Sequence, residues 1–112
     1  MALLTVGVGQ TYSTIAAAIT AAVATDDIVI RSNMIESVTL NKNIGSIYSD
    51  NNSSWDSTGG AETFLIQGGL TQTLNIYDII IKKTSGLSNV ITWSTAGVGS
   101  KLKFSTATLR GD

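Results

Sequence analysis

Gly7 and Gly9 open the stretch VGVGQTYSTIAAAITAA (residues 6–22), which has the outline of a phosphate-binding loop followed by a helix. A P-loop requires a second glycine at a fixed spacing and then Lys-Ser/Thr, and this stretch has no lysine and no glycine at that position. A dinucleotide fingerprint requires a third glycine where Tyr12 stands. We therefore interpret the two glycines as a turn that leads a strand into the helix, with Tyr12 packing against the helix start.

Residues 50–62, DNNSSWDSTGGAE, partly match a calcium-binding loop. Four oxygen-bearing side chains fall at the first, third, fifth and seventh ligand positions: Asp50, Asn52, Ser54 and Asp56. Trp55 replaces the turn glycine, Ala61 occupies the twelfth position, and Glu62 comes one place late. We expect a solvated loop in which Trp55 is exposed and suited to anchor an interface. Whether this loop binds a cation stays open.

Carbohydrate hydrolysis needs paired carboxylates, and lyase chemistry would need a calcium cluster with an arginine. The candidate residues are Asp26, Asp27, Asp78, Arg31 and Arg110. Asp26 and Asp27 lie between the predicted helix and the next strand, where a role in the turn is expected. Asp78 interrupts NIYDIII and is expected to point outward from a strand, with no second carboxylate paired to it. We therefore predict no catalytic residue, no cofactor-binding residue and no metal ligand, so the chain is predicted not to be an enzyme.

The composition excludes several classes of function. The 112 residues suffice for one domain, 43% are hydrophobic, and only 13% are charged. Seven basic against eight acidic residues give a net charge of −1, whereas nucleic-acid binding needs a basic surface. The absence of cysteine and histidine excludes disulfides, most zinc sites and histidine-based catalysis. No apolar run reaches the length of a membrane span, and the N-terminus lacks the basic region of a signal peptide.

The hydrophobic pattern predicts one helix among many strands. A strand is predicted over 3–6 and a helix over 13–24, with Ser13 as its N-cap and an apolar face formed by Ile15, Ala18, Ile19, Ala22 and Val23. Short β-branched strands are predicted over 28–31, 37–40 and 44–49, and further strands within 62–67, 73–83, 89–94 and 101–110. Because no linker divides them, residues 1–112 are expected to form a single domain.

Three stretches in this order, VGVGQTYSTIAAAITAA, DDIVI and ESVTLNKNI, resemble the opening of right-handed parallel β-helix proteins of the pectate-lyase-like and tailspike-like kind. The resemblance covers roughly the first 45 residues, with SNMIE (residues 32–36) departing from the usual Gly-Thr-Tyr before the glutamate. It implies a mainly β fold: a strand and capping helix in residues 1–25, then about three or four coils in residues 26–112.

The resemblance also implies a function. A β-helix this short, without a catalytic constellation and with few charges, is expected to be a bacteriophage structural protein, acting as a capsid decoration or cement protein. It would form a homotrimer, bind the major capsid protein and reside in the virion, with no nucleic-acid or membrane partner and no cofactor. Two alternatives remain: an adhesive segment of a tail fibre or tailspike, and a truncated polysaccharide-processing β-helix enzyme.

Overall fold

The computed structural model describes residues 2–57, 63–66, 73–83, 91–93, 101–105 and 108–111. Within these ranges the chain forms one helix, α1 (Ile15–Ala21), and twelve strands. The first six strands are β1 (Leu3–Val6), β2 (Asp27–Ile30), β3 (Met34–Ile35), β4 (Val38–Leu40), β5 (Ser46–Tyr48) and β6 (Ser54–Asp56). The next six are β7 (Phe64–Ile66), β8 (Thr73–Tyr77), β9 (Ile80–Lys83), β10 (Ile91–Trp93), β11 (Lys101–Ser105) and β12 (Thr108–Gly111).

The strands form three sheets in which every recorded pairing is parallel. Sheet 1 has the order β1-β2-β5-β8-β11, sheet 2 the order β4-β7-β10, and sheet 3 the order β3-β6-β9-β12. Strands that follow one another along the chain therefore lie in different sheets, and the cycle of three repeats from β2 to β10. The architecture is mainly β with parallel sheets and one short helix, which agrees with the predicted fold class at that level.

Parallel register stacks apolar side chains on one another in the core. Ile28 pairs with Ile47, and Ile47 with Ile76, so one column of isoleucines runs through sheet 1. Trp55 pairs with Ile81 in sheet 3, and Val38 pairs with Phe64 in sheet 2. All seven side chains are buried and belong to one hydrophobic cluster. Each added strand pair thus removes apolar surface from water, which is the main stabilising effect available to a chain with so few charges.

Helix α1 covers this core where it meets β1, β2 and β4, and its buried residues are Ile15, Ala18 and Ile19. The helix starts after Thr14, whose hydroxyl accepts from the Ala17 N–H at 3.1 Å, and not at the predicted cap Ser13. It ends at Ala21 and not at residue 24, because the Val23 N–H donates to the Asp26 carboxylate at 2.9 Å.

Val23, predicted on the apolar face of the helix, therefore lies beyond its end and is 62% exposed. The neighbouring Ala22 stays buried, so the rest of the predicted apolar face is confirmed.

Two side chains from one short segment hold the two ends of α1. The Glu36 carboxylate accepts from the Ile15 N–H and the Ala16 N–H, each at 3.0 Å, at the start of the helix. The Lys42 ammonium donates to the carbonyls of Thr20 and Ala22, at 3.1 and 2.7 Å, at its end. Both charges have the sign that the helix dipole favours at that terminus. A helix of seven residues is marginal by itself, so these contacts and its buried face must hold it in place.

The structure contains two strands that the sequence pattern does not predict, and it divides two predicted strands into two each. β3 and β6 were not predicted, because each is only two or three residues long and is surrounded by polar residues. The predicted strand over 73–83 divides into β8 and β9 at Asp78, whose φ of +52° turns the chain. The predicted strand over 101–110 likewise appears as β11 and β12.

The prediction of an exposed Trp55 is wrong. Its side chain is fully buried, its ring centroid lies 4.8 Å from that of Phe64, and its indole N–H donates to the Glu36 carbonyl at 2.9 Å. The surrounding DNNSSWDS composition suggested a loop, but parallel pairing of β6 with β3 and β9 turns this one side chain inward.

We expect Trp55→Phe to lower the free energy of unfolding by about 1–3 kcal/mol, because the Glu36 carbonyl loses a buried donor. Urea unfolding followed by circular dichroism measures this change. Val8→Ala, at a side chain that is 88% exposed, is the control and should unfold like the parent chain. Equal stability of the Trp55→Phe variant and the parent would contradict the buried position of the indole.

We also expect Glu36→Ala to destabilise the chain by about 1–3 kcal/mol, because two N–H groups at the start of α1 lose their acceptor. Glu36→Gln keeps one acceptor oxygen but loses the charge, so its loss should be intermediate. The same urea titrations compare the two variants. An alanine variant as stable as the parent chain would show that the carboxylate does not hold the helix.

Candidate functional site

The opening glycines form a turn, as the sequence indicates. Gly7 has a φ of +141° and Gly9 a φ of +77°, both unfavourable for other residues. A Cβ on Gly7 would lie 2.5 Å from the Ser32 hydroxyl, which accepts from the Val8 N–H at 2.9 Å. Tyr12 is half-buried and packs against the core beside β1.

The adjacent helix start offers no phosphate site, because Glu36 already occupies its first two N–H groups.

Asp26 and Asp27 serve the turn between α1 and β2. One carboxylate oxygen of Asp26 accepts from the Ala2 N–H at 2.7 Å, and the other accepts from the Val23 N–H at 2.9 Å. These two hydrogen bonds, that of Val23 first, hold the pKa of Asp26 below its ordinary value of 3.8. Asp27 accepts from the Ser46 hydroxyl at 2.7 Å, which ties β2 to β5. Both side chains have structural partners at the place where the sequence predicted a turn role.

A polar groove lies at one corner of the molecule, where β5 leads to β6 and β8 leads to β9. It has a volume of about 380 Å³. Its lining residues are Ser49, Asp50, Asn52, Ser53, Asp78, Ile79 and Ile80. Asn52 and Asp78 have φ angles of +61° and +52°, and each turns the chain out of its strand at this corner. Asn and Asp tolerate this left-handed conformation better than other non-glycine residues.

The upper wall of the groove is held by hydrogen bonds around Ser49. The Ser49 hydroxyl accepts from the Ser53 N–H at 3.0 Å and donates to the Asn51 side-chain oxygen at 3.0 Å. The Ser53 hydroxyl donates to the same Asn51 oxygen at 2.6 Å. Ser49 and Ser53 are buried, so this turn is a fixed part of the corner. The carboxylate of Asp50 lies above the groove as one of its lining groups.

Asp50 is bound by Arg31, which directly follows β2, the strand next to β5 in sheet 1. The Arg31 guanidinium donates from Nε and Nη2 to Asp50, with the shortest contact at 2.9 Å between Nη2 and Oδ2. This contact lowers the pKa of Asp50 and raises the pKa of Arg31. Both side chains remain partly exposed, so the pair is a surface salt bridge with a modest effect on stability.

The four side chains that fall at calcium-ligand positions in the sequence do not meet at one point. Asp50 and Asn52 line the groove, whereas Ser54 and Asp56 belong to β6 and do not line it. Asp56 is buried and accepts from the Ser57 N–H at 2.7 Å. Ala61 and Glu62 lie outside the described residues. In the part of the chain that the structure describes, no group of three or more acidic, histidine or cysteine side chains could hold a metal ion.

Of the five catalytic candidates, only Asp78 lines the groove described above. Asp78 is exposed, as expected, but it shares the groove with Asp50, a proximity that the sequence did not indicate. Arg31 binds Asp50, and Arg110 lies in β12 at the register position beside Lys82. A glycosidase acid needs a raised pKa, and the pKa of Asp50 is lowered.

A pair of tyrosines lies beside the groove on the outer face of sheet 1. Tyr48 and Tyr77 pair in register, and their rings stack with centroids 4.7 Å apart and planes 7° apart. Burial raises the pKa of Tyr48, and neighbouring Tyr77 and Asp50 raise it further. The sequence held a signal for this pair, because each tyrosine follows an isoleucine that occupies the same column of the core.

We expect the stability of the chain to fall as the pH drops below the ordinary aspartate value of 3.8, because Asp26 and Asp50 have lowered pKa values when folded. Such groups stabilise the folded chain above the unfolded pKa, and this stabilisation is lost as the pH falls through the folded pKa. Urea midpoints between pH 7 and about pH 2.5 measure the slope. Asp26→Asn should be less stable at neutral pH and show a shallower decline. An unchanged slope in that variant would contradict the role assigned to Asp26.

No helix in the described part of the chain is long and apolar enough to cross a membrane. No protein-family model, curated protein or solved structure matches the chain.

Proposed function

We propose that this chain is a viral structural module, a short right-handed parallel β-helix whose homotrimer decorates and stabilises a bacteriophage capsid. In this proposal the three sheets are the faces of one solenoid, and β2–β3–β4, β5–β6–β7 and β8–β9–β10 are successive coils. The role is mechanical and not catalytic. Residence in the virion and contact with the major capsid protein follow from it.

The observation that supports this proposal most directly is the cyclic order of parallel strands. A chain that visits three sheets in turn, and pairs each strand with the one three elements later, repeats one structural unit along an axis. The buried columns Ile28–Ile47–Ile76 and Trp55–Ile81 are what such stacking produces. A body held by stacked layers resists deformation, because it cannot bend without opening its core.

The surface supports association with protein and not with a charged polymer. The net charge is −1, and several apolar side chains are exposed: Leu3, Val8, Val23 and Ile35. Leu3 and Val23 belong to the same end of the molecule, since Asp26 binds the backbone of Ala2 and of Val23. The outer face of sheet 1 adds the stacked Tyr48–Tyr77 pair, and tyrosine is enriched in protein interfaces. Contacts between copies would bury these groups.

We expect sedimentation of the purified chain to give a trimer, and we expect the trimer to bind empty bacteriophage heads. In purified virions the chain should be present in a fixed ratio to the shell protein. A stable monomer without affinity for heads would contradict the proposal. Location on tails and not on heads, seen by labelling particles with an antibody to the chain, would instead favour the adhesive tail-fibre alternative.

A further inference from the structure

We propose that Tyr48 and Tyr77 form an oxidative cross-linking site, at which a one-electron oxidant joins the two rings through a carbon–carbon bond. The product, dityrosine, would connect β5 to β8 within one chain. This inference goes beyond the proposed function and does not rest on it, because it concerns the reactivity of two side chains of the same copy. It depends on the geometry of the ring pair, on its exposure and on the position of the third tyrosine.

The two rings have the arrangement that coupling requires. Their centroids lie 4.7 Å apart and their planes differ by 7°, and the separation matches the spacing of neighbouring strands, about 4.8 Å. Because Tyr48 and Tyr77 are partners in parallel register, their side chains leave the sheet in the same direction. Corresponding atoms of the two rings therefore lie side by side, including the carbons next to the hydroxyl groups. Phenoxyl radicals combine at these carbons.

The neighbouring strand β2 restricts the pair on one side. Val29 is the register partner of Tyr48 and is fully buried. It lies outside the core cluster to which its chain neighbours Ile28 and Ile30 belong, so side chains on the outer face of sheet 1 must cover it. Tyr48 thus lies in a column between a buried valine and Tyr77, which leaves its ring little freedom to move away from the stack.

The composition of the chain directs oxidation to this pair. Both rings are half-buried and not fully enclosed, so an oxidant in solution can reach them. The sequence has no cysteine, so no thiol competes for the radical, and the Trp55 side chain is fully buried. Of the three tyrosines, all of which the structure describes, Tyr48 and Tyr77 are the two whose rings are stacked. Tyr12 pairs with β1, and β2 separates β1 from β5.

The coupling removes two electrons and two protons from the chain. Each phenol gives one electron to the oxidant and one proton to water, which leaves a phenoxyl radical. The two radicals combine at the ring carbons beside their hydroxyl groups. The hydrogen on each joined carbon then moves to the phenol oxygen, which restores both aromatic rings. Two equivalents of the one-electron oxidant are reduced for each cross-link formed.

The test illuminates the purified full chain with tris(bipyridyl)ruthenium(II) and persulfate, which generate a Ru(III) oxidant. We expect the blue fluorescence of dityrosine, a mass loss of two hydrogens, and a band that stays at the monomer position on a denaturing gel. A protease that cleaves after acidic residues separates the two tyrosines at Asp50, Asp56 or Glu62, so the product should contain two joined peptides. The cross-linked chain should have a higher urea midpoint than the parent, because the bond restricts the unfolded chain.

Tyr48→Phe and Tyr77→Phe should each abolish the product and keep the stack, because phenylalanine retains the ring but has no phenol to oxidise. Tyr12→Phe is the matched control and should cross-link like the parent chain. N-acetyltyrosine amide, coupled in parallel, shows that the oxidant is active, so absence of the product overturns the proposal.

The proposal also fails if the Tyr48→Phe or Tyr77→Phe variant retains the intrachain product, or if all dityrosine joins separate chains. Equal yield from the urea-unfolded and the folded chain would likewise overturn it, because the fold would then not position the rings. Sedimentation of the same samples separates this result from the proposed function, because a trimer that forms no intrachain dityrosine overturns only the cross-linking site.

Discussion

The clamp on α1 by Glu36 and Lys42 is the interaction on which the order of the N-terminal end depends. The helix is too short to persist in water, so it depends on its buried face and on the contacts at its two ends. Glu36 supplies acceptors where the helix has unpaired N–H groups, and Lys42 supplies donors where it has unpaired carbonyls. Both come from the segment around β4, which the helix also contacts. The helix is therefore fixed to β4 by the residues on either side of that strand.

The positions of β2 and β4 constrain the register of the strands that pair with them. Once β2 and β4 are in place, β5 and β7 can pair only in the register that sets Ile47 below Ile28 and Phe64 below Val38. A shift by one residue would turn these apolar side chains outward. Trp55 adds a connection of another kind, because its indole N–H binds the carbonyl of Glu36, the same residue whose carboxylate holds the helix. Glu36 thus links two elements: its carboxylate binds the start of α1, and its carbonyl binds Trp55 in β6.

Parallel strand pairing also aligns side chains on the outer surface. Parallel pairing stacks the core side chains and also aligns those that point outward. Tyr48 stacks on Tyr77 in this way. Arg31, Asp50 and Asp78 likewise lie along one corner. Each of these residues belongs to a different segment of the chain, and none marks a site by itself. They come together only because parallel pairing places strands from different parts of the chain side by side.

The amino-acid sequence by itself determined the class of structure. Short β-branched strands and one small-residue helix indicated a mainly β chain with a helix over the core, and turn residues such as Gly7 and Asp26 marked where the chain leaves an element. Only the tertiary structure decided the position of Trp55, the use of Glu36 and Lys42 at the helix ends, and the proximity of Asp50 and Asp78. The physical reason is that parallel pairing joins residues far apart in the chain. Composition around Trp55 is polar, so local pattern favours exposure, whereas pairing with the strands above and below turns the ring into the core. Hydrogen bonds from Glu36 and contacts across the groove likewise depend on how the layers are aligned, and no local pattern specifies that alignment.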